Sequence, residues 1–265
     1  MTDLNEAVVV LTGATGGFGR ELTKQLLKAG SQLILSDINR SALDKLAAEI
    51  NCGTGKILTC IESDLSTREG CEILYQQVKS LDVPIDVLIN NAGIALFGRM
   101  DEVPHEEWER LMQVNLITPM RLSTLFVSEM IERRQGHIVN ISSLAGWIAP
   151  AGMAHYSSSK FGLRGFSMGL WNEVKPYNVK VTAVYPFFSK TPILQSKSFG
   201  IFAQSDRRFL DDIATEPADV MAKTIKAIVR NRLHVFPDRM GKTIYLIQRY
   251  FPQLFKIVSH KFNPR

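Results

Sequence analysis

Beyond Asp238 the chain has no acidic residue, while Arg239, Lys242, Arg249, Lys256, Lys261 and Arg265 supply six positive charges. Removing those six from the 31 basic residues leaves 25 against 26 acidic ones, so the surplus behind the net charge of +5 belongs to the tail. A nucleic-acid-binding domain would pattern a whole face with basic residues, and this distribution excludes that class. Cysteine is scarce: Cys52, Cys60 and Cys71 are odd in number and lack metal-ligand spacing, which predicts free thiols in a reducing compartment. The five histidines (His105, His137, His155, His234 and His260) show no ligand spacing either, so no metal is expected. No apolar run approaches the roughly 18 residues of a membrane span. The opening Met1–Glu6 is polar and acidic, unlike a secretory leader. A cytoplasmic protein follows from these absences as an expectation. No repeat or low-complexity stretch divides the 265 residues.

What is present is an alternation of short apolar runs with helical patterns. Ala7–Leu11 is fully apolar and β-branched, as a central parallel strand should be. It leads into Thr12-Gly13-Ala14-Thr15-Gly16-Gly17-Phe18-Gly19 and a helical pattern through Leu22, Leu26 and Leu27. A glycine-rich turn between strand and helix lets backbone amides approach a pyrophosphate, with the helix N-terminus adding its dipole. The second strand, Gln32 to Ser36, ends at Asp37, placed to accept from both hydroxyls of an adenosine ribose and to repel a 2′-phosphate. Further strands are predicted at 56–61, 85–89, 138–141, 179–185 and 233–236. Helices are predicted at 41–50 with Ser41 as cap, 67–79, 105–134, 156–175 and 217–230. Pro119 inside the longest helix has no amide for the carbonyl of Asn115, which predicts a kink there. The fold class is therefore α/β, a Rossmann-type doubly wound parallel sheet of seven strands in one domain. Residues 1–238 form that domain, 187–216 an irregular substrate lid, and 239–265 a helical extension.

The chemistry centres on His155-Tyr156-Ser157-Ser158-Ser159-Lys160. Tyr156 and Lys160, four apart, share a helix face. A nearby cation favours a phenolate and lowers its pKa, making a proton donor and acceptor for a carbonyl–alcohol pair. Ser143, at the carboxyl end of the strand at 138–141, lies where open α/β sheets bind ligands. His155 points elsewhere than Tyr156 and is read as a bystander.

Together these residues resemble the short-chain dehydrogenase/reductase family along about residues 5 to 237. Thr12-Gly13-x3-Gly17-x-Gly19 matches that family's cofactor turn and Asn90-Asn91-Ala92-Gly93 its fourth-strand signature. Asn115, Ser143, Tyr156 and Lys160 match its catalytic tetrad. The resemblance implies Tyr156 as general acid/base and Lys160 as its tuner and ribose holder. It implies Ser143 as the substrate-oxygen donor, and Asn115, through its carbonyl, as holder of a water. It further implies a cofactor site of Gly13, Thr15, Gly16, Gly17, Phe18, Gly19, Asp37, Asp64, Leu65, Asn91, Ala92, Gly93, Pro186, Phe188 and Thr191. NAD is the expected cofactor and NADP the alternative, through Arg40. The family's usual Pro-Gly after strand six is Pro186-Phe187 here. A homodimer or homotetramer is implied by the resemblance alone.

Ser143, Ala145, Trp147, Met153, Tyr156, Phe187 and Phe199 are the expected substrate contacts, with Leu96, Phe97, Leu144, Ile148, Ile193, Leu194, Ile201 and Phe202 around them. So apolar a set suits a bulky alcohol or ketone of steroid, retinoid, long-chain or aryl type, held by burial. The alternatives are a 3-ketoacyl thioester reductase and a non-catalytic NAD(P)-sensing module. In the tail, Ile244, Leu246, Ile247, Tyr250, Phe251, Leu254, Phe255, Ile257 and Val258 recur at helical spacing among basic residues. Packing over the cleft or a partner subunit and peripheral membrane contact are both open readings.

Overall fold

The structure is a computed structural model and describes residues 1–50, 53–204 and 213–253. Cys52, His260 and the tail residues Leu254, Phe255, Lys256, Ile257, Val258, Lys261 and Arg265 lie outside the described residues, as does the lid's 205–212.

Seven parallel strands form the sheet: β1 (Val8–Thr12), β2 (Gln32–Asp37), β3 (Lys56–Glu62), β4 (Val87–Asn90), β5 (Gly136–Ile141), β6 (Val179–Val184) and β7 (His234–Val235). Their order is β3-β2-β1-β4-β5-β6-β7. β1 is buried along its whole length because it is covered on both faces. Its side chains alternate between two cores. Val9 and Leu11 join one with Leu22 and Leu26 of α1 (Gly17–Lys28) and Val220 and Met221 of α7 (Pro217–Val229). Val8 and Val10 join the other with Leu74 of α3 (Arg68–Lys79), Phe126 of α5 (Thr118–Glu132) and Val174 of α6 (Ala154–Val174). Strand order reverses between β1 and β4, so their carboxyl ends open a crevice. A third cluster, including Phe97, Leu111, Ala145, Met153 and Tyr156, packs beside it.

Three local expectations change. The cap of α2 (Arg40–Glu49) is Asn39, whose side chain accepts from the Ala42 N–H, not Ser41. The long helix is not one continuous α-helix. α4 (His105–Met112) passes into a π-helical turn, Gln113–Ile117, and then into α5. Pro119 then lies in the first turn of α5, where its missing N–H is least costly. The last strand keeps only His234 and Val235, and beyond it α8 (Arg239–Tyr250) continues the chain.

Candidate active site

The turn after β1 is shaped by contacts a side chain would destroy. Gly13 has φ +63°, and a Cβ on it would stand 2.7 Å from the Ala92 Cα. A Cβ on Gly19 would stand 2.1 Å from the Gly13 carbonyl oxygen, so α1 begins hard against the turn. The Thr12 hydroxyl accepts from the N–H groups of Asn91 (3.0 Å) and Ala92 (3.1 Å). Asn91 Nδ2 donates back to the carbonyls of Thr12 and Gly13. Thr12, not among the expected cofactor residues, thus ties the turn to the end of β4; only the neighbouring chain end reveals that task.

Gly13, Thr15, Gly16, Gly17, Phe18, Asp37, Asp64, Leu65, Asn91, Ala92, Gly93 and Thr191 line one cleft, with Gly19 buried beneath it. Asp37 accepts from the Thr15 N–H (2.9 Å) and hydroxyl (2.7 Å) and from the Ile38 N–H. Arg40 turns aside, bonding Asp44 and the Cys60 carbonyl. Hydrogen bonds from Ser66 hold the Asp64 carboxyl below its ordinary value against partial burial, helped by the charge of Arg110. Arg110 and Ile38 also line the cleft; neither carries a signal that sequence spacing alone could read. Backbone without side chains at the start of a helix, with a carboxylate at the far rim, fits an adenine dinucleotide.

A second, apolar pocket opens beside the first, and Phe18, Asn91, Gly93, Thr191 and Ile193 line both. Ser143, Ala145, Met153, Tyr156, Lys160, Pro186, Phe187 and Phe188 line it, as do Phe97, Leu144, Ile148 and Leu194. Ala95, Ile141, Ser142, Pro150 and Ser189 line it too, without having been anticipated. Trp147 does not face the pocket, contrary to expectation. Its ring meets Tyr185 (5.7 Å) and Tyr245 (4.6 Å) edge-on, and the Arg164 guanidinium lies 4.0 Å over it. A short 3-10 turn, Leu144–Gly146, reverses the chain there and sends the indole behind the wall. Phe199 is outside the lining as well. Its N–H donates to the Phe97 carbonyl and its side chain packs on the cluster behind the pocket.

Within the pocket the Tyr156 phenol is buried, and burial pushes its pKa up to about 12, partly offset by a hydrogen bond with Ser143. The Lys160 ammonium lies 5.6 Å from the Tyr156 ring centroid and donates to the Ile141 carbonyl at 3.1 Å. Burial brings it down to about 8. Sharing a helix face therefore places Lys160 beside Tyr156 without bringing it to the phenol oxygen. In the chain by itself burial outweighs the tuning expected from the sequence. Asn115, buried in the π turn, uses its carboxamide twice on one residue, accepting from the Ile94 N–H and donating to the Ile94 carbonyl, both at 2.9 Å. It thereby pins the segment after Gly93. His155 is buried, with Nε2 3.0 Å from the Leu96 carbonyl, and does not line the pocket.

Residues 7–199 match the short chain dehydrogenase family. The chain belongs to that family. This short-chain dehydrogenase is 36% identical over 191 residues to a 3-oxoacyl-[acyl-carrier-protein] reductase of Aquifex aeolicus, covering 71% of the chain and 76% of the relative. It is 30% identical over 251 residues to human epidermal retinol dehydrogenase 2, covering 92% and 78%. Against bovine 3-ketodihydrosphingosine reductase it is 36% identical over 190 residues and spans 57% of that relative's length. Its fold superposes on a Burkholderia phymatum short-chain dehydrogenase in complex with NAD with a TM-score of 0.84, at 22% identity, covering 96% of both chains.

The buried ammonium of this dehydrogenase makes a stability prediction. The folded-state pKa of Lys160 is about 8 against an ordinary 10.5, so below pH 8 the fold carries a charge that burial disfavours. Between pH 8 and 10.5 the unfolded chain binds more protons, and this group's contribution makes stability rise with pH. Lys160→Met removes the penalty. By the linkage of about 1.4 kcal/mol per pKa unit, it is expected to stabilise the fold by about 3 kcal/mol at pH 7, an advantage that vanishes toward pH 10.5. Denaturant midpoints of both proteins across that range check it; an advantage that does not shrink with pH refutes the assignment.

Proposed function

We propose that this short-chain dehydrogenase interconverts a bulky apolar alcohol and its ketone or aldehyde with a nicotinamide dinucleotide, NAD in preference to NADP. The observation carrying this reading is a buried phenol, hydrogen-bonded to a serine, facing an apolar pocket continuous with a glycine-lined cleft. When bound, the dinucleotide supplies the hydride acceptor or donor and, oxidised, a positive charge. The chain's own residues do the rest. Tyr156 gives the proton to the carbonyl oxygen in reduction and takes it from the alcohol in oxidation. Ser143 donates to the same oxygen as charge develops on it. Lys160 holds a positive charge beside the Tyr156 ring and would hold the nicotinamide ribose of a bound dinucleotide. Asn115 holds Ile94, and so the cleft wall, in place. Ala145, Met153 and Phe187 exclude water and hold the apolar arm.

NAD is favoured because Asp37 stands at the cleft rim and Arg40 is engaged with Asp44 instead of the cleft. The similarity to an acyl-carrier-protein reductase supports a second reading, a 3-ketoacyl thioester reductase. Initial rates on apolar aryl, steroid-type and long-chain alcohols and ketones, beside a 3-ketoacyl thioester and polar polyols, separate them. The proposal expects kcat/KM at least about tenfold higher for the bulky apolar compounds, and higher with NAD than NADP. Faster thioester reduction favours the second reading; dinucleotide binding with no turnover favours a sensing module.

A homo-oligomer and peripheral contact with an anionic membrane belong to the same proposal. No described helix is long and apolar enough to cross a membrane. α8 presents Met240, Leu246 and Tyr250 outward beside Arg239, Lys242 and Arg249. Sedimentation with and without anionic vesicles tests both; a monomer that ignores vesicles overturns them.

A further inference from the structure

Asp238, the residue just before α8, does something unusual for a helix N-cap. An aspartate at this position ordinarily accepts from an amide of its own first turn, and here no such bond is made. The residue is 3% exposed, and its Oδ2 accepts instead from the backbone N–H of Phe187, at 2.9 Å and 51 residues away in sequence. Phe187 stands where its relatives' glycine was expected, and it lines the apolar pocket.

The rest of α8 reinforces the contact. A Cβ on Gly241 would lie 3.4 Å from the Phe187 Cβ and 4.0 Å from the Leu144 Cδ2. Leu144 follows Ser143, and its N–H donates to the Pro186 carbonyl at 2.8 Å, joining the two walls. Farther along, Tyr245 stacks on Phe236 at 4.2 Å and meets Trp147 at 4.6 Å. α8 thus braces both segments that wall the pocket, and it lies outside the region matched to the family. Glycine at 187 would leave that backbone free. A phenylalanine held by a buried carboxylate makes a fixed wall.

We infer that Asp238 is a positioning residue that sets which apolar arm of the substrate is admitted, by locking the Phe187 backbone and with it the phenyl wall. This rests on the proposed alcohol–ketone activity. The energetic logic is that a buried carboxylate bonded to an N–H resists displacement more than a neutral contact would. Asparagine keeps an acceptor oxygen at the same place; alanine does not.

The test compares the full chain with Asp238→Ala, Asp238→Asn, Phe187→Ala and the Asp238→Ala/Phe187→Ala double variant. Steady-state kinetics use two apolar ketones, one compact and one bulky, and dinucleotide binding is titrated separately. For Asp238→Ala the ratio of kcat/KM between the two ketones is expected to change about tenfold, mostly through KM, with dinucleotide Kd unchanged. Asp238→Asn should restore the ratio to within about threefold, and in the Phe187→Ala background Asp238→Ala should add almost nothing. Equal damage from alanine and asparagine, an undiminished effect without the phenyl ring, or a matching loss of dinucleotide affinity overturns the inference. Should Asp238→Ala fail to fold, Asp238→Ser keeps the inference falsifiable: its hydroxyl still suits a helix start but falls short of the Phe187 N–H, so the same ratio is expected to move, and an unmoved ratio overturns the inference. Should the unsubstituted chain turn over no alcohol or ketone, the proposed activity fails. The same variants are then compared by calorimetric Kd for the two ketones, so the two failures remain distinct.

Discussion

Tyr156→Phe lowers turnover by about 10²–10⁴-fold, the range lost when a positioned proton donor is removed, while dinucleotide Kd stays within about twofold. The ring that fills the pocket remains, and only the oxygen shared with Ser143 is lost. The direction of the pKa shift adds a second expectation. Burial pushes the phenol up to about 12, so the proton needed for reduction is present throughout the neutral range. Alcohol oxidation needs the phenolate and should accelerate as pH rises; reduction should not. The same shift acts on stability with a definite sign. The folded phenol keeps its proton between pH 10 and 12 where the unfolded one loses it, so this contribution is complete below pH 10 and lost as pH rises through 12. Stopped assays of both directions across pH 6–10, with direct titration of dinucleotide binding, check the kinetic claims. Undiminished turnover in the phenylalanine variant would remove Tyr156 from the chemistry.

Gly19→Ala should abolish dinucleotide binding, weakening it by about 100-fold or more, and lower stability by about 1–3 kcal/mol. A Cβ there would stand 2.1 Å from the Gly13 oxygen and 2.7 Å from the Ala14 Cα. Both obstacles are backbone, so no side chain can swing aside. The turn must open, and opening it breaks the approach of Gly13 to Ala92 and the Asn91 bonds that hold both. For a domain of this size about 2–4 °C of melting temperature is lost per kcal/mol. A thermal scan and a fluorescence titration read the two effects together; a variant with normal melting temperature and normal affinity would mean that the turn is not the cradle described.

The sheet was legible because its strands are apolar on both faces and its helices on one. Val8–Leu11 and Val87–Ile89 admit no other placement than a covered centre. The glycine turn, Asp37 and the Ser143, Tyr156, Lys160 set were legible for a different reason: each is a short-range pattern whose partners lie one element away. What escaped depends on where an atom ends up, not on which face a residue occupies. The i, i+4 spacing set Lys160 above Tyr156, but a four-carbon stem let its ammonium reach the Ile141 carbonyl. Trp147 follows the right serine, yet the 3-10 turn between them decides its direction. Asn39 caps α2 in place of Ser41 because the helix starts at Arg40, ahead of the expected boundary. The Asp238–Phe187 bond joins residues 51 positions apart, and no periodicity announces such a pair.

The π-helical turn at Gln113–Ile117 has a consequence for inheritance. Leu111 ahead of it faces the pocket cluster, while Leu122, Phe126 and Met130 behind it face the sheet. Each residue of an α-helix advances about 100°, so the wide turn is a phase adjuster between two clients of one rod. Dropping a single residue there would swing every later side chain of α5 away from the strands it covers. Lineages carrying this protein should therefore tolerate substitutions along the rod far more readily than a change in its length.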